Sequence, residues 1–215
     1  MSQIIIFGAG GRAGRAAVAE ARGRGHQVTA VVRDPAKYPD LRAVDGVRTV
    51  AGDVTDAPSV ARLSVGHDAA ISAVYDAAAQ PEAFFAHASR ALLDGLAEAD
   101  VNRLVGVGLA SVLETASGAL LMDTPGYPQD YRAFFLGHAA GTDVLRTVAS
   151  GTSGLDWLVL SPAGDFDHGG ARTGRYRTAP AEVSSRISYA DFAIALLDEI
   201  DDPRHHRTHV GVEAG

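Results

Sequence analysis

The sequence has no cysteine, and Lys37 is the only lysine among its 19 basic residues. Without cysteine the chain has no disulfide, no thiolate nucleophile and no cysteine-ligated zinc or iron–sulfur site. This composition fits the reducing cytoplasm, where we expect the protein to be located. The scarcity of lysine restricts catalysis as well. A Schiff base, a phosphate-loop lysine or a Tyr-x-x-x-Lys acid–base pair would each have to use Lys37.

Positive charge and long apolar runs are also scarce. The formal net charge is −7, which argues against nucleic acid as a partner, because binding to it requires a positive surface. No run approaches the roughly 18 apolar residues of a membrane span. The chain starts directly in a strand-like segment, so we expect neither a membrane partner nor a signal peptide. The cluster His205-His206-x-x-His209 has no adjacent carboxylate pair, and we predict no metal site.

Apolar runs typical of buried strands alternate with helical segments along the chain. The predicted strands cover 4–7, 28–32, 47–51, 69–73, 103–107 and 157–160, with an edge strand over 208–212. The predicted helices cover 13–24, 58–63, 82–99, 131–150 and 189–200. This alternation predicts a single α/β domain over residues 1–215. We expect a doubly wound Rossmann fold with a parallel sheet.

Two connections are longer than is usual in this fold. Residues 109–130 follow the fifth predicted strand, and residues 162–187, with one short strand of their own, follow the sixth. Open α/β sheets bind ligands beyond the carboxyl ends of their strands. We therefore expect these two segments to form lid loops on the substrate side of the site.

A glycine-rich turn lies between the first predicted strand and the first predicted helix. It contains Gly8, Gly11 and Gly14, and the spacing leaves two residues between successive glycines. In this position glycines permit a tight turn, close approach of the backbone to a pyrophosphate, and packing of the helix on the strand. The helix N-terminus also attracts phosphate. The turn therefore predicts a dinucleotide-binding site.

The end of the second predicted strand indicates which dinucleotide is bound. NAD enzymes place an acidic residue there for the ribose 2′-hydroxyl, whereas NADP enzymes have an arginine nearby. Arg33 occupies this position, and Arg12 is available from the glycine-rich turn. Two guanidinium groups can hold a 2′-phosphate through forked hydrogen bonds, so NADP(H) is favoured over NAD(H). Asp34 keeps NAD(H) open as the alternative, and Lys37 lies too early in the chain to be a catalytic lysine.

Further motifs extend over nearly the whole chain. They include Gly8-x-x-Gly11-x-x-Gly14, Val31-Val32-Arg33-Asp34-Pro35-x-Lys37, Gly52-Asp53-Val54-x-Asp56, Leu158-x-Leu160-Ser161-Pro162-Ala163, Arg172-Thr173-Gly174-x-Tyr176 and Ile187-Ser188-Tyr189-Ala190-Asp191. With these motifs the chain resembles the NmrA-like, NAD(P)H-binding group of atypical short-chain dehydrogenases. Within that group it resembles the bacterial NADH–flavin reductases related to biliverdin-IXβ/flavin reductase.

The resemblance implies a role for individual residues. It assigns Gly8, Gly11, Arg12, Ala13 and Gly14 to the pyrophosphate, Arg33 to the 2′-phosphate, Asp53 and Val54 to the adenine, Ser72 and Ala73 to the ribose, and Ala110, Ser111, Pro162 and Ala163 to the nicotinamide end. Two positions depart from the group's pattern. Gly10 stands where relatives usually have a threonine-like residue, and Leu109 replaces an expected glycine.

The absence of a Tyr-Lys pair limits the reactions that we expect. Carbonyl reduction, epimerisation and sugar dehydration usually rely on this pair as their acid–base group. Hydride transfer to a flavin or quinone requires mainly orientation and exclusion of water. We therefore expect an NADPH-dependent reductase of a planar acceptor, with flavin as substrate and Ser111 as an orienting residue. Tyr127, Phe134, Phe135 and Phe166 are candidates for a surface that stacks on the acceptor, although each could instead pack in the core.

Other functions are compatible with the same residues. A non-enzymatic NADP(H) sensor of the NmrA type would need the glycine-rich turn and Arg33, but no open pocket beside the nicotinamide. A third hypothesis is a reductase that acts on one specialised metabolite. We expect a monomer or a homodimer, because no pattern in the sequence distinguishes the two.

Overall fold

The computed structural model describes residues 1–148 and 154–215, and these contain ten strands and six helices. The strands are β1 (Gln3–Phe7), β2 (Gln27–Val32), β3 (Val47–Ala51), β4 (Ala69–Ser72), β5 (Arg103–Val107), β6 (Asp156–Pro162), β7 (Asp165–Asp167), β8 (Tyr176–Thr178), β9 (Arg186–Ser188) and β10 (Thr208–Ala214). The helices are α1 (Arg12–Gly23), α2 (Pro39–Arg42), α3 (Ala57–Ser64), α4 (Pro81–Glu98), α5 (Arg132–Val148) and α6 (Tyr189–Asp201).

Eight strands form one sheet in the order β3-β2-β1-β4-β5-β6-β10-β8. Every neighbouring pair from β3 to β10 is parallel, whereas β8 joins β10 in the antiparallel direction. The strand order reverses at β1, because β2 and β3 lie on one side of it and β4 lies on the other. This arrangement confirms the predicted α/β Rossmann fold.

The sheet is buried on both faces, as its apolar strands require. Ile4 and Ile6 of β1 pack with α1 and α6 in one cluster, while Ile5 and Phe7 pack with α3, α4 and α5 in the other. The three isoleucines are completely buried. Alternate residues of one strand thus supply two cores, which hold the carboxyl ends of the central strands in fixed positions.

The elements agree closely with those predicted, although two expectations were wrong. β10 is not an edge strand, since it lies between β6 and the antiparallel β8 of an otherwise parallel sheet. Residues 162–187 contain three short strands rather than one, and β7 pairs with β9 in a small parallel sheet. The predicted helix 131–150 is described as far as Val148, and its last two residues lie outside the described part.

The two long connections contain ordered structure. Residues 109–130 include 3₁₀ turns at Ala110–Val112 and Leu121–Asp123, and their apolar side chains Leu113 and Leu121 are buried together. That these segments act as a lid stays a prediction. Within residues 1–148 and 154–215, no helix combines the length and the hydrophobicity needed to cross a bilayer.

Candidate cofactor-binding site

A cleft of about 610 Å³ lies at the carboxyl ends of β1, β2 and β4, where the strand order reverses. Ligands bind at this position in open α/β sheets. Six of the residues that we predicted to bind the cofactor line it, and these are Gly8, Gly11, Arg33, Asp53, Val54 and Ala73. The fold thus brings together residues from four separate stretches of the chain.

The glycine-rich turn has the geometry of a phosphate-binding loop. Gly8 has a φ of +78°, and a Cβ at this position would lie 2.2 Å from the carbonyl oxygen of Ala73. A Cβ at Gly14 would lie 2.2 Å from the carbonyl oxygen of Gly8. The turn can therefore form only with glycine at both positions, and it leads directly into the first turn of α1, whose amides have no intrahelical acceptors. These residues fit a dinucleotide pyrophosphate.

Arg12 connects this turn to the segment that follows β6. Its Nη1 donates to Nδ1 of His168 at 2.8 Å, and the hydroxyl of Tyr189 lies 3.2 Å from the same nitrogen. Neither Arg12 nor its neighbours Ala13 and Gly14 are among the residues that line the 610 Å³ cleft. The segment 162–187 thus approaches the predicted pyrophosphate position through His168.

Arg33 lies at the mouth of the cleft with 72% of its side chain exposed. Its Nη1 donates to Oδ2 of Asp76 at 2.6 Å. Asp76 follows β4 and was not among the predicted site residues, since nothing in its local sequence marks it. Lys37 does not line the cleft and pairs instead with Asp34 at 3.8 Å.

Asp53 has a local role as well as a position in the cleft. Its Oδ1 accepts hydrogen bonds from the backbone nitrogen and the hydroxyl of Thr55, at 2.8 and 2.7 Å. This turn fixes the carboxylate beside Val54, at the position expected for the adenine. The adenine contact itself stays a prediction.

Tyr38 is a second wall residue that the sequence did not indicate. A Cβ at Gly10 would lie 2.4 Å from the Tyr38 ring, so the ring packs directly on this glycine. Arg15 stabilises the arrangement, since its guanidinium carbon lies 5.5 Å from the ring centroid and its Nε donates to the carbonyl oxygen of Gly10 at 2.9 Å. The departure at position 10 therefore has a structural explanation, since glycine leaves room for the Tyr38 ring.

The residues assigned to the nicotinamide end lie outside the 610 Å³ cleft. Ser111 and Ala163 are completely buried, and Ala110 is 2% exposed. Pro162 is the last residue of β6 and pairs with Val212. Within the described part of the chain, the Oγ of Ser111 has no hydrogen-bond partner. Ser72, assigned to the ribose, lines a separate small cavity of about 50 Å³.

The candidate acceptor-binding aromatics fall into two groups. Phe134 contacts Tyr75 with ring centroids 5.2 Å apart, and Tyr127 contacts Phe135 at 5.7 Å. Tyr75 also lines the cleft, so the first contact joins the cleft to an aromatic cluster that consists of Tyr75, Phe85, Phe134 and His138. Phe166 belongs to the other group, where it stacks on Tyr189 at 4.1 Å and on Phe192 at 5.0 Å, edge to face.

Two titratable groups within or beside this cluster have altered pKa values. Burial lowers the pKa of His138 to about 4, and the ring of His138 lies 3.9 Å from that of Phe85. Burial, together with the carboxylate of Asp165, raises the pKa of Tyr127. Both side chains are therefore uncharged at neutral pH, which makes this part of the molecule suitable for an apolar ring.

The three histidines near the C-terminus bind different partners. His205 pairs with Glu199 at 2.6 Å and His206 with Asp156 at 2.8 Å. His209 lies 2.7 Å from the Oγ of Ser161. In the described ranges no group of histidine and acidic side chains is arranged to hold a metal ion.

The comparison with known proteins agrees with this geometry. Residues 8–203 match a family described as NAD(P)H-binding. The chain belongs to the NAD(P)H-binding family. The match begins at Gly8, the first glycine of the phosphate-binding turn, and extends through α6.

Relatives of this NAD(P)H-binding protein cover almost its whole length. YwnB of Bacillus subtilis, an uncharacterised protein, is 36% identical in an alignment of 211 residues, and the match covers 94% of each chain. A Burkholderia pseudomallei structure named as a candidate exported protein is 36% identical with a TM-score of 0.83, covering 99% of this chain and 100% of the other. A Streptococcus pneumoniae structure named as a candidate NADH-flavin reductase is 28% identical with a TM-score of 0.83, covering 100% of both.

Family membership and these neighbours support an oxidoreductase that uses NAD(P)H. They do not distinguish the two forms of the cofactor. The expected cytoplasmic location and the oligomeric state stay predictions.

Proposed function

We propose that this NAD(P)H-binding protein is an NADPH-dependent reductase that delivers hydride to a flavin, a quinone or a similar planar acceptor. The observation that carries the proposal is the cleft itself. It combines the glycine-rich turn, the guanidinium of Arg33 and, through Tyr75 and Phe134, an adjoining aromatic cluster. A dinucleotide and a planar ring can thus be bound side by side.

We assign the cofactor-binding roles in order along the dinucleotide, from the 2′-phosphate to the nicotinamide. Arg33 binds the 2′-phosphate, Asp53 and Val54 contact the adenine, and Ser72 and Ala73 contact the ribose. The turn Gly8–Gly14 binds the pyrophosphate. Ala110, Ser111, Pro162 and Ala163 hold the nicotinamide end. Among the described residues the buried Oγ of Ser111 has no hydrogen-bond partner, so it is available to a bound nicotinamide.

The reduced nicotinamide supplies the hydride. The protein's own contribution is orientation and exclusion of water. No lysine is available near the acceptor, because Lys37 is paired with Asp34 at the opposite end of the site. We infer that the proton comes from solvent, which is sufficient for an acceptor that delocalises negative charge.

The similarity to the Streptococcus pneumoniae protein supports flavin as the first acceptor to test. Oxidation of NADPH is measured with FMN, riboflavin and a panel of quinones, and the same assays are repeated with NADH. We expect turnover with at least one of these acceptors and a lower KM for NADPH. Replacing Ser111 with Ala tests its orienting role, since the variant should lose kcat while the affinity for NADPH is retained.

One observation favours the alternative of a non-enzymatic NADP(H) sensor. Ser111 and Ala163 are completely buried and do not line the 610 Å³ cleft, so neither side chain is exposed to an acceptor bound there. A sensor requires cofactor binding but no space for an acceptor. If NADPH binds tightly and no acceptor on the panel is reduced, the reductase proposal is wrong and the sensor is favoured.

A further inference from the structure

We propose that Asp76 determines cofactor specificity by opposing the 2′-phosphate at Arg33. The inference rests on the proposed binding of NADP(H) in the 610 Å³ cleft. It assigns a role to a carboxylate that lies 43 residues from Arg33 in the sequence and meets it only in the folded structure.

The ion pair is asymmetric. Asp76 is the fixed partner, because 22% of its side chain is exposed and its Oδ1 accepts from the backbone nitrogen of Ala78 at 3.0 Å. Arg33 is the mobile partner, with 72% of its side chain exposed. The guanidinium can therefore turn to another anion, whereas the carboxylate stays at the rim of the cleft.

The charges around the cleft explain why this matters for specificity. Among the described residues that line it, Arg33 is the one permanent cation, opposed by the carboxylates of Asp53 and Asp76, while His87 is the remaining titratable base. A 2′-phosphate carries negative charge and must compete with Asp76 for Arg33. It is also repelled by the carboxylate that remains. A 2′-hydroxyl carries no charge and meets neither penalty.

Asp76 therefore reduces the affinity for NADPH without changing that for NADH. Replacing Asp76 with an uncharged residue should therefore increase the preference for NADPH. An exposed ion pair is weak, but repulsion of a phosphate adds to it, so the combined effect should be measurable. The test is the dissociation constant of each dinucleotide for the unmodified protein and for variants at positions 76, 33 and 45.

In the Asp76→Asn variant the side chain can still accept from Ala78. We expect its Kd for NADPH to fall about five- to tenfold, with the Kd for NADH unchanged to within about twofold. In the Arg33→Ala background the same substitution should improve NADPH binding only about twofold, because only the direct repulsion is then removed. Asp45→Asn is the matched control, since Asp45 is also an aspartate but is fully exposed and does not line the cleft.

The outcomes separate this inference from the proposed function. Equal effects of Asp76→Asn on both dinucleotides, or no effect on NADPH, would overturn the role of Asp76 while leaving the cofactor site intact. Weaker binding of NADH by the variant would overturn it too, because it would mean that Asp76 binds the ribose hydroxyl. If neither the unmodified protein nor the variant binds NADPH, the proposed cofactor is wrong, and the inference fails with it.

Discussion

At the scale of single residues, the glycine-rich turn shows that glycines in one motif can have different functions. Gly14 faces backbone, since its Cβ would meet the carbonyl oxygen of Gly8 at 2.2 Å. Gly10 faces the end of a flexible side chain, since its Cβ would meet the Tyr38 ring. Backbone cannot move without distorting the turn, whereas a tyrosine ring can rotate away.

We therefore predict different consequences for two identical substitutions. Gly14→Ala should lower the free energy of unfolding by about 1–3 kcal/mol, because overpacking against backbone forces the turn to shift. Gly10→Ala should cost less than about 1 kcal/mol but weaken NADPH binding several-fold, because Tyr38 is displaced from the cleft wall. Urea denaturation and calorimetric titration measure the two effects.

The control for the second substitution is the double variant Gly10→Ala/Tyr38→Ala. If the displaced ring is the cause, adding Gly10→Ala to Tyr38→Ala should not weaken binding further. Additive losses in the two single variants would show that Gly10 acts through the backbone instead.

The residues of the site divide into those that a sequence can reveal and those that it cannot. Gly8 and Arg33 were predicted because a strand end and a helix start locate them relative to a bound dinucleotide. Asp76 and Tyr38 were missed because their roles arise from tertiary contacts with Arg33 and Gly10. No local pattern encodes a contact between residues that far apart in the chain.

At the scale of elements, the start of α6 fixes the segment after β6. Ser188 caps the helix by accepting from the backbone nitrogen of Asp191 at 3.0 Å. The buried Asp191 carboxylate in turn accepts from the backbone nitrogens of Thr173 and Gly174, each at 2.9 Å, and from the Thr173 hydroxyl. Burial alone would raise the pKa of Asp191, but these hydrogen bonds outweigh it and lower the pKa. The motifs Thr173-Gly174 and Ser188-x-x-Asp191 are therefore two halves of one clamp.

We predict that Asp191→Asn opens this clamp. The substitution removes the charge and one acceptor, so the free energy of unfolding should fall by about 1–3 kcal/mol. Amide exchange at Thr173 and Gly174 should become faster than that of the core strands. Hydrogen exchange measured by NMR gives the opening rate at Thr173 and Gly174, and the slowest core amides give the free energy of unfolding.

Asp202→Asn is the control for this substitution, because Asp202 lies at the end of the same helix, is exposed and pairs only weakly with Arg204 at 3.3 Å. The control should leave both the stability and the exchange rates unchanged. Unchanged exchange at Thr173 in Asp191→Asn would contradict the clamp.

The length of a strand determines whether its position can be predicted from the sequence. β1 contains a continuous apolar run and β5 contains three apolar residues, and the predicted positions of both strands are correct to within one residue. β7, β8 and β9 have three residues each, which is too short for an alternating pattern to be distinguished from a loop. Their pairing depends on β10 and on the β7–β9 contact, so only the tertiary structure identifies them as strands.

At the scale of the whole molecule, the sheet divides the interior into two cores, and two partly buried histidines lie on the side of α5. His138 lies on α5 beside Phe85, and His209 of β10 lies beside Ser161. Burial lowers the pKa of His138 to about 4. Burial, followed by the positive charge of Arg146 and the proximity of His138, lowers the pKa of His209 to about 3. Both are neutral in the folded protein at pH values where an unfolded chain binds a proton at each.

This difference predicts acid destabilisation that begins well above the carboxyl range. An unfolded histidine titrates near pH 6.5, so below that pH the unfolded state binds more protons than the folded state. Stability must therefore fall as the pH falls, by up to about 1.4 kcal/mol per pH unit for each histidine. Asp191 acts in the same direction only near and below its ordinary pKa of 3.8, so the two effects occupy separate windows.

We expect the free energy of unfolding, measured by urea denaturation, to decrease steadily from about pH 6.5 to about pH 5. His209→Gln can keep a hydrogen bond to Ser161 but cannot be protonated, so its stability should fall less steeply. His87→Gln serves as the control, because His87 is exposed at the rim of the cleft and should leave the slope unchanged. A profile that stays flat down to pH 5 would mean that these partly buried histidines gain their protons without unfolding. The core beside α5 would then admit charge, and a neutral environment for the acceptor could no longer be inferred from it.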